Sequence, residues 1–121
     1  MAKALGDPRV RQGVQITVIG EASLLGKAGA SLLALVDRQE ITLQSPPRSA
    51  GQAAGEAAVI CPGVPTPTTG HLSFCWLQAA IAGAITGQFD AIVTGPIAKS
   101  VWHQAGHDYP GQTEVLAEGA G

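Results

Sequence analysis

Cysteine is scarce: Cys61 and Cys75 are the whole supply. Neither stands in a CxxC pair, so no disulfide framework or thiol redox motif is encoded, and reduced thiols are expected. Runs of one charge are missing as well. Seven basic and nine acidic side chains leave a net charge of -2 over 121 residues, and neither sign clusters. That removes electrostatic support for a nucleic-acid partner or a membrane surface. No apolar stretch reads as a membrane span, because the most apolar window, Leu72 to Val93, is broken by Gln78, Gln88 and Asp90 and changes character at Gly87. The opening residues, MAKALGDPRVRQG, have no apolar core of signal-peptide length. The expectation is a cytoplasmic, soluble chain of about one domain's length.

Two phosphate-binding fingerprints are also lacking. Lys99-Ser100 matches the end of a Walker A motif, but position 98 is alanine where that pattern needs glycine. No G-x-G-x-x-G is present, so the usual dinucleotide turn cannot be claimed.

What the chain does have is an alternation of strand-like and helix-like segments. Residues 2–12 are weakly helical. VQITVIG (14–20) is a β-branched run ending in glycine, and 21–36 carries leucines on one side of a 3.6-residue period. ITLQS (41–45) and AAVICPG (57–63) read as further strands, and CPGVPTPTTG (61–70) as a rigid extended connection. Residues 71–87 form an alanine-rich helix, apolar nearly all round, with Gly87 at its C-terminal end; such a helix suits a central core or a subunit interface equally. FDAIVTG (89–95) reads as a strand and PIAKSVWHQAG (96–106) as the helix behind it. TEVLAEGAG opens another helix. The order implies an α/β fold with a mainly parallel sheet flanked by helices.

In such sheets ligands gather at the carboxyl ends of strands, which singles out Thr94 to Lys99. Gly95 fits an N-cap and Pro96 the first helical position. The backbone donors of Ile97 and Ala98 would then face an anion, with the charge of Lys99 added. The alternative is a plain strand-to-helix turn with Lys99 as a solvated surface residue. Gln112-Thr113-Glu114 is a second candidate, with Thr113 either capping the next helix or meeting a ligand. His71 reads as a loop or capping residue. His103 shares a helix face with Lys99, and His107 follows Gly106; without a carboxylate in ligand spacing, no metal is assigned to the chain.

The stretch DAIVTGPIAKSVWHQAGHDYPGQTEVLAE resembles the D-A-(I/V)-V-T-G-P-(I/V)-x-K … A-G … (Y/F)-x-G-H-T-E-x-L-A segment of the 4-hydroxythreonine-4-phosphate dehydrogenases of vitamin B6 biosynthesis. VQITVIGEASLL resembles that family's second strand and following helix. The resemblance implies a homodimeric enzyme, similar in architecture to the isocitrate and isopropylmalate dehydrogenases, that oxidises and decarboxylates a phosphorylated hydroxy-amino acid with NAD and a divalent metal. It places the family's substrate-binding His-Thr pair on Gln112 and Thr113. Gln112 departs from the family's histidine, keeping hydrogen-bonding capacity but no protonatable group. The family's glycine-rich first motif and metal-binding histidines are not matched, and the catalytic residues are therefore unassigned. Residues 1–121 are expected to be one α/β domain, an incomplete part of a two-domain enzyme that is inactive alone and holds neither NAD nor metal by itself. The rival expectation is a non-catalytic, self-associating α/β module that binds a phosphorylated metabolite. A phosphate-handling transferase is a third, weakened by the want of an evident nucleophile or base.

Overall fold

The structure is a computed structural model that describes residues 1–25, 29–46, 60, 61 and 63–121. It divides into two compact units, Met1–Pro47 and Arg48–Gly121.

The first unit begins with two short helices, α1 (Ala2–Leu5) and α2 (Pro8–Arg11). Asp7 caps α2 by accepting the Arg9 N–H, with Pro8 in the first helical position. Strand β1 (Thr17–Ile19) leads through a 3-10 turn (Ala22–Leu24) to α3 (Ala30–Asp37) and back to β2 (Thr42–Gln44). The two strands pair in parallel, Thr17 opposite Thr42 and Ile19 opposite Gln44. This is a small βαβ unit, because parallel neighbours need a crossover and α3 supplies it. Leu5, Val18, Leu32, Leu35 and Ile41 form its core. Of the helix expected over 21–36, Ala22–Leu24 is a 3-10 turn and the stretch from Ala30 is α-helix, while residues 26–28 lie outside the described residues.

The described residues of the second unit form helices and connecting segments. Its long helix α4 (Pro67–Ile85) starts earlier than the sequence predicts, inside the stretch expected to stay extended. The reason is a capping box: Thr69 N–H donates to Thr66 Oγ1 at 3.2 Å, and Thr66 N–H donates to Thr69 Oγ1 at 2.9 Å. The helix stops as expected, with Gly87 at φ +76 just beyond its end. Two shorter helices follow, α5 (Lys99–Gln104) and α6 (Gln112–Ala120), and both pack on α4. Leu77 and Ile81 of α4, Trp102 of α5 and Val115 of α6 are buried together. Burying such side chains stabilises by about 1.5–3 kcal/mol each. Trp102 also anchors polar contacts, donating from Nε1 to Ser73 Oγ at 2.9 Å, while Ser73 donates to the Gly70 carbonyl.

One strand expectation fails. Residues 89–95 run without strand structure, and the second unit contains no strand among its described residues. A ladder needs a neighbour, and here Ile92 turns to the core of its unit while Val93 stands 87% exposed. The strand expected over 57–63 lies largely outside the described residues; Ile60 and Cys61 are not in a strand. The α/β class and the parallel pairing thus hold, with two strands as the described sheet. Among the described residues, no helix is long and apolar enough to cross a membrane.

Candidate functional site

Helix α5 does not begin where the sequence predicts. Ala98 is its N-cap and Lys99 its first residue, whereas Gly95-Pro96 lies in the segment before it, outside any helix or strand. The cause is packing. Ile92 and Ile97 both lean on the cluster of Leu77, Ile81, Trp102 and Val115. Core contact outweighs the local preference for proline at a helix start. Ile97 and Ala98 therefore do not present the donors of a helix beginning at Pro96. A similar shift affects α6, where Gly111 occupies the N-cap and Gln112 and Thr113 the first two helical positions. Thr113 is exposed and does not cap.

The two candidate segments nevertheless meet. The Gln112 side-chain amide donates to the Gly95 carbonyl at 3.0 Å. Lys99 reaches the same place: a Cβ added at Gly111 would lie 3.4 Å from Lys99 Cε and 3.6 Å from its Nζ. Glu114 Oε2 would be 3.4 Å from that point as well, so a cation and an anion flank Gly111. Glu114 also sits in the first turn of α6, where the helix dipole favours a carboxylate.

A short loop fixes this arrangement. Gly106, at φ +84, allows the chain to reverse after α5, and the His107 N–H returns to the Trp102 carbonyl at 2.9 Å. Three successive side chains then pin the loop. His107 Nε2 shares a hydrogen bond with His71 Nδ1 at 2.9 Å, and its ring stacks on Phe74 with centroids 3.8 Å apart. Asp108 Oδ1 lies 3.2 Å from His103 Nδ1. Tyr109 donates its hydroxyl to Glu118 Oε2 at 2.8 Å, which pushes the phenol above its usual range. Gly111 and Gln112 follow after Pro110.

His71 is therefore a residue within α4 and not a loop or cap. Its Nε2 lies 3.5 Å from Cys75 Sγ. The His-x-x-x-Cys spacing is a readable signal, because residues four apart share a helix face; the partnership with His107 depends on how α5 and its loop fold back. Among the described residues no group of three His, Cys, Asp or Glu side chains can hold a metal ion.

Comparison with known proteins identifies the family. The model of the family described as pyridoxal phosphate biosynthetic protein PdxA matches residues 12–121. The chain belongs to the PdxA family. Among its relatives, the 4-hydroxythreonine-4-phosphate dehydrogenase of Synechocystis sp. is 43% identical over 98% of this chain. The D-threonate 4-phosphate dehydrogenase of Bordetella bronchiseptica is 33% identical over 93% of it. In both cases the match covers 34% of the relative, so the chain spans about a third of the length of these PdxA-family proteins. No solved structure matches the chain significantly.

Proposed function

We propose that the chain forms part of the substrate-binding side of a dehydrogenase acting on 4-hydroxythreonine 4-phosphate, in an enzyme of the isocitrate-dehydrogenase-like architecture that works as a homodimer. The observation that carries this reading is the bond from Gln112 to the Gly95 carbonyl, which draws the two motif segments together beside Lys99. Gln112 keeps its amide oxygen as a further acceptor for a substrate hydroxyl or ammonium group. Thr113 offers an exposed hydroxyl one residue on. Lys99 supplies a positive charge for the phosphate, and Gly95 stands beside Gln112 through its carbonyl. Glu114 opposes an anion set directly over Gly111 and favours the ammonium end of the substrate there.

NAD would accept the hydride in this reaction. The described residues do not fit it well, since the turn after β1 carries Glu21 as the cap of a three-residue 3-10 helix, a poor neighbour for a pyrophosphate. The divalent metal finds no three-ligand cluster among the described residues either. In this proposal both groups are held by the parts of PdxA-family enzymes that the chain does not span. Its own residues bind and orient the phosphorylated substrate.

The test is a melting-temperature series with 4-hydroxythreonine 4-phosphate, with inorganic phosphate and sulfate as controls. Ligand at about a hundredfold over Kd raises native-state stability by about 2.7 kcal/mol. Lys99→Ala is expected to remove most of the shift and leave ligand-free stability nearly unchanged. No shift beyond the controls in the parent chain would overturn the proposal. Reduced NAD should not accumulate with this chain alone and should accumulate when the rest of a relative is supplied as a second chain. Ligand binding with no turnover in either case favours a non-catalytic, self-associating module, a reading that the exposed Val93 and Ile85 of the second unit support.

A further inference from the structure

We propose that Cys75 is a nucleophilic thiol site, with His71 as its base and His107 as a positioning residue, that reacts with small disulfides to form a mixed disulfide. The inference is independent of the dehydrogenase reading. Three side chains stand in line. Cys75 Sγ lies 3.5 Å from His71 Nε2, and the other nitrogen of that ring, Nδ1, lies 2.9 Å from His107 Nε2. A hydrogen on His71 Nδ1 that donates to His107 leaves the Nε2 lone pair facing the thiol. Nucleophile, base and a third group that orients the base make up the general arrangement of an activated nucleophile.

The supporting contacts are rigid. His71 and Cys75 are four residues apart on the 19-residue helix α4, so their separation is set by helix geometry. His107 is held by its stacking on Phe74, at 3.8 Å and 11°. Burial pushes the Cys75 thiol up from its usual range, so near pH 7 it is protonated and its proton must leave during attack. His71 Nε2 receives that proton as Sγ attacks one sulfur of R–S–S–R. The new Sγ–S bond forms, the old S–S bond breaks, and the departing thiolate takes the proton from the His71 imidazolium. The products are Cys75–S–S–R and R–SH; the thiol is oxidised and the leaving sulfur reduced, with no further reactant.

Cys61, which is exposed, serves as the comparison within the same chain. The probe is 2,2′-dithiodipyridine, whose released thiopyridone is followed by absorbance in Cys61→Ser and Cys75→Ser single-thiol proteins at pH 7. Cys75 is expected to react faster than Cys61 despite being less exposed. His71→Ala should slow Cys75 by at least about tenfold, a modest share of what a positioned base contributes, and added imidazole should restore part of the rate. His107→Phe, which keeps an aromatic ring against Phe74, should also slow it, so the idea remains testable if His71→Ala does not fold. Equal rates in urea confirm that the differences belong to the folded state. A faster Cys61, or a Cys75 rate indifferent to both histidine variants, would overturn the proposal.

Discussion

His107 joins a stack and a hydrogen bond that respond differently to protonation. Burial, and after it the neighbouring His71, hold its pKa below the usual imidazole value. The unfolded chain then takes up the proton first as pH falls. Stability is fully present above about pH 6.5, the unfolded imidazole value, and is lost as pH falls through the lower folded value. Urea midpoints at pH 7.5 and 5 should show the second unit weaker at the lower pH, and His107→Phe should reduce that difference because it removes the titrating ring while keeping the stack. An unchanged difference in the variant would assign the pH response to other groups. The same residue shows why some of the candidate site is illegible in sequence. Gln112, Thr113 and Lys99 are named by motif, but the clasp from His71 to His107 spans 36 residues and follows from tertiary packing alone.

Helices α4 and α5 approach so closely that Gly70 cannot accept a side chain. A Cβ there would lie 2.2 Å from the Val101 carbonyl oxygen and 2.6 Å from its carbon, and backbone atoms cannot swing aside as a side-chain tip can. Gly70→Ala is therefore expected to destabilise the second unit by about 1–3 kcal/mol, as overpacked cores do, measured as a lower urea midpoint at unchanged slope. Thr66→Ala removes the capping box at the start of the same helix and should cost about 1 kcal/mol. Elements whose signal is local are the ones legible in sequence: β1, β2, the end of α4 at Gly87, and the helix after Gly111. The start of α4 is legible too, once Thr66 and Thr69 are read as a reciprocal pair with Pro67 between them. Residues 89–95 mislead because composition reports the tendency to pair, while the pairing itself needs a second strand. The start of α5 misleads for a related reason, since Ile97 is worth more against Trp102 and Val115 than as the second residue of a helix begun at Pro96.

For the molecule as a whole, the segment from Ala91 to Ala98, which lies outside any helix or strand, raises the question of self-association. Val93 is 87% exposed there, and Ile85 of the same unit is 65% exposed. An exposed β-branched residue on a segment without a strand partner among the described residues is open to pairing, as a sheet edge is, and recruits another chain unless charge prevents it. The homodimer proposed above makes a second copy the occupant to test. Sedimentation velocity at a few micromolar and at about a hundred micromolar should show the sedimentation coefficient rising with concentration. Val93→Lys should suppress that rise, because a lysine on such an edge resists pairing, while the melting temperature of the dilute protein stays nearly constant, as expected for a surface change within about 0.5 kcal/mol. If the variant associates as readily as the parent, the contact lies elsewhere on the chain. If the parent sediments as a monomer at both concentrations, Val93 is a tolerated surface residue and self-association is excluded over that range.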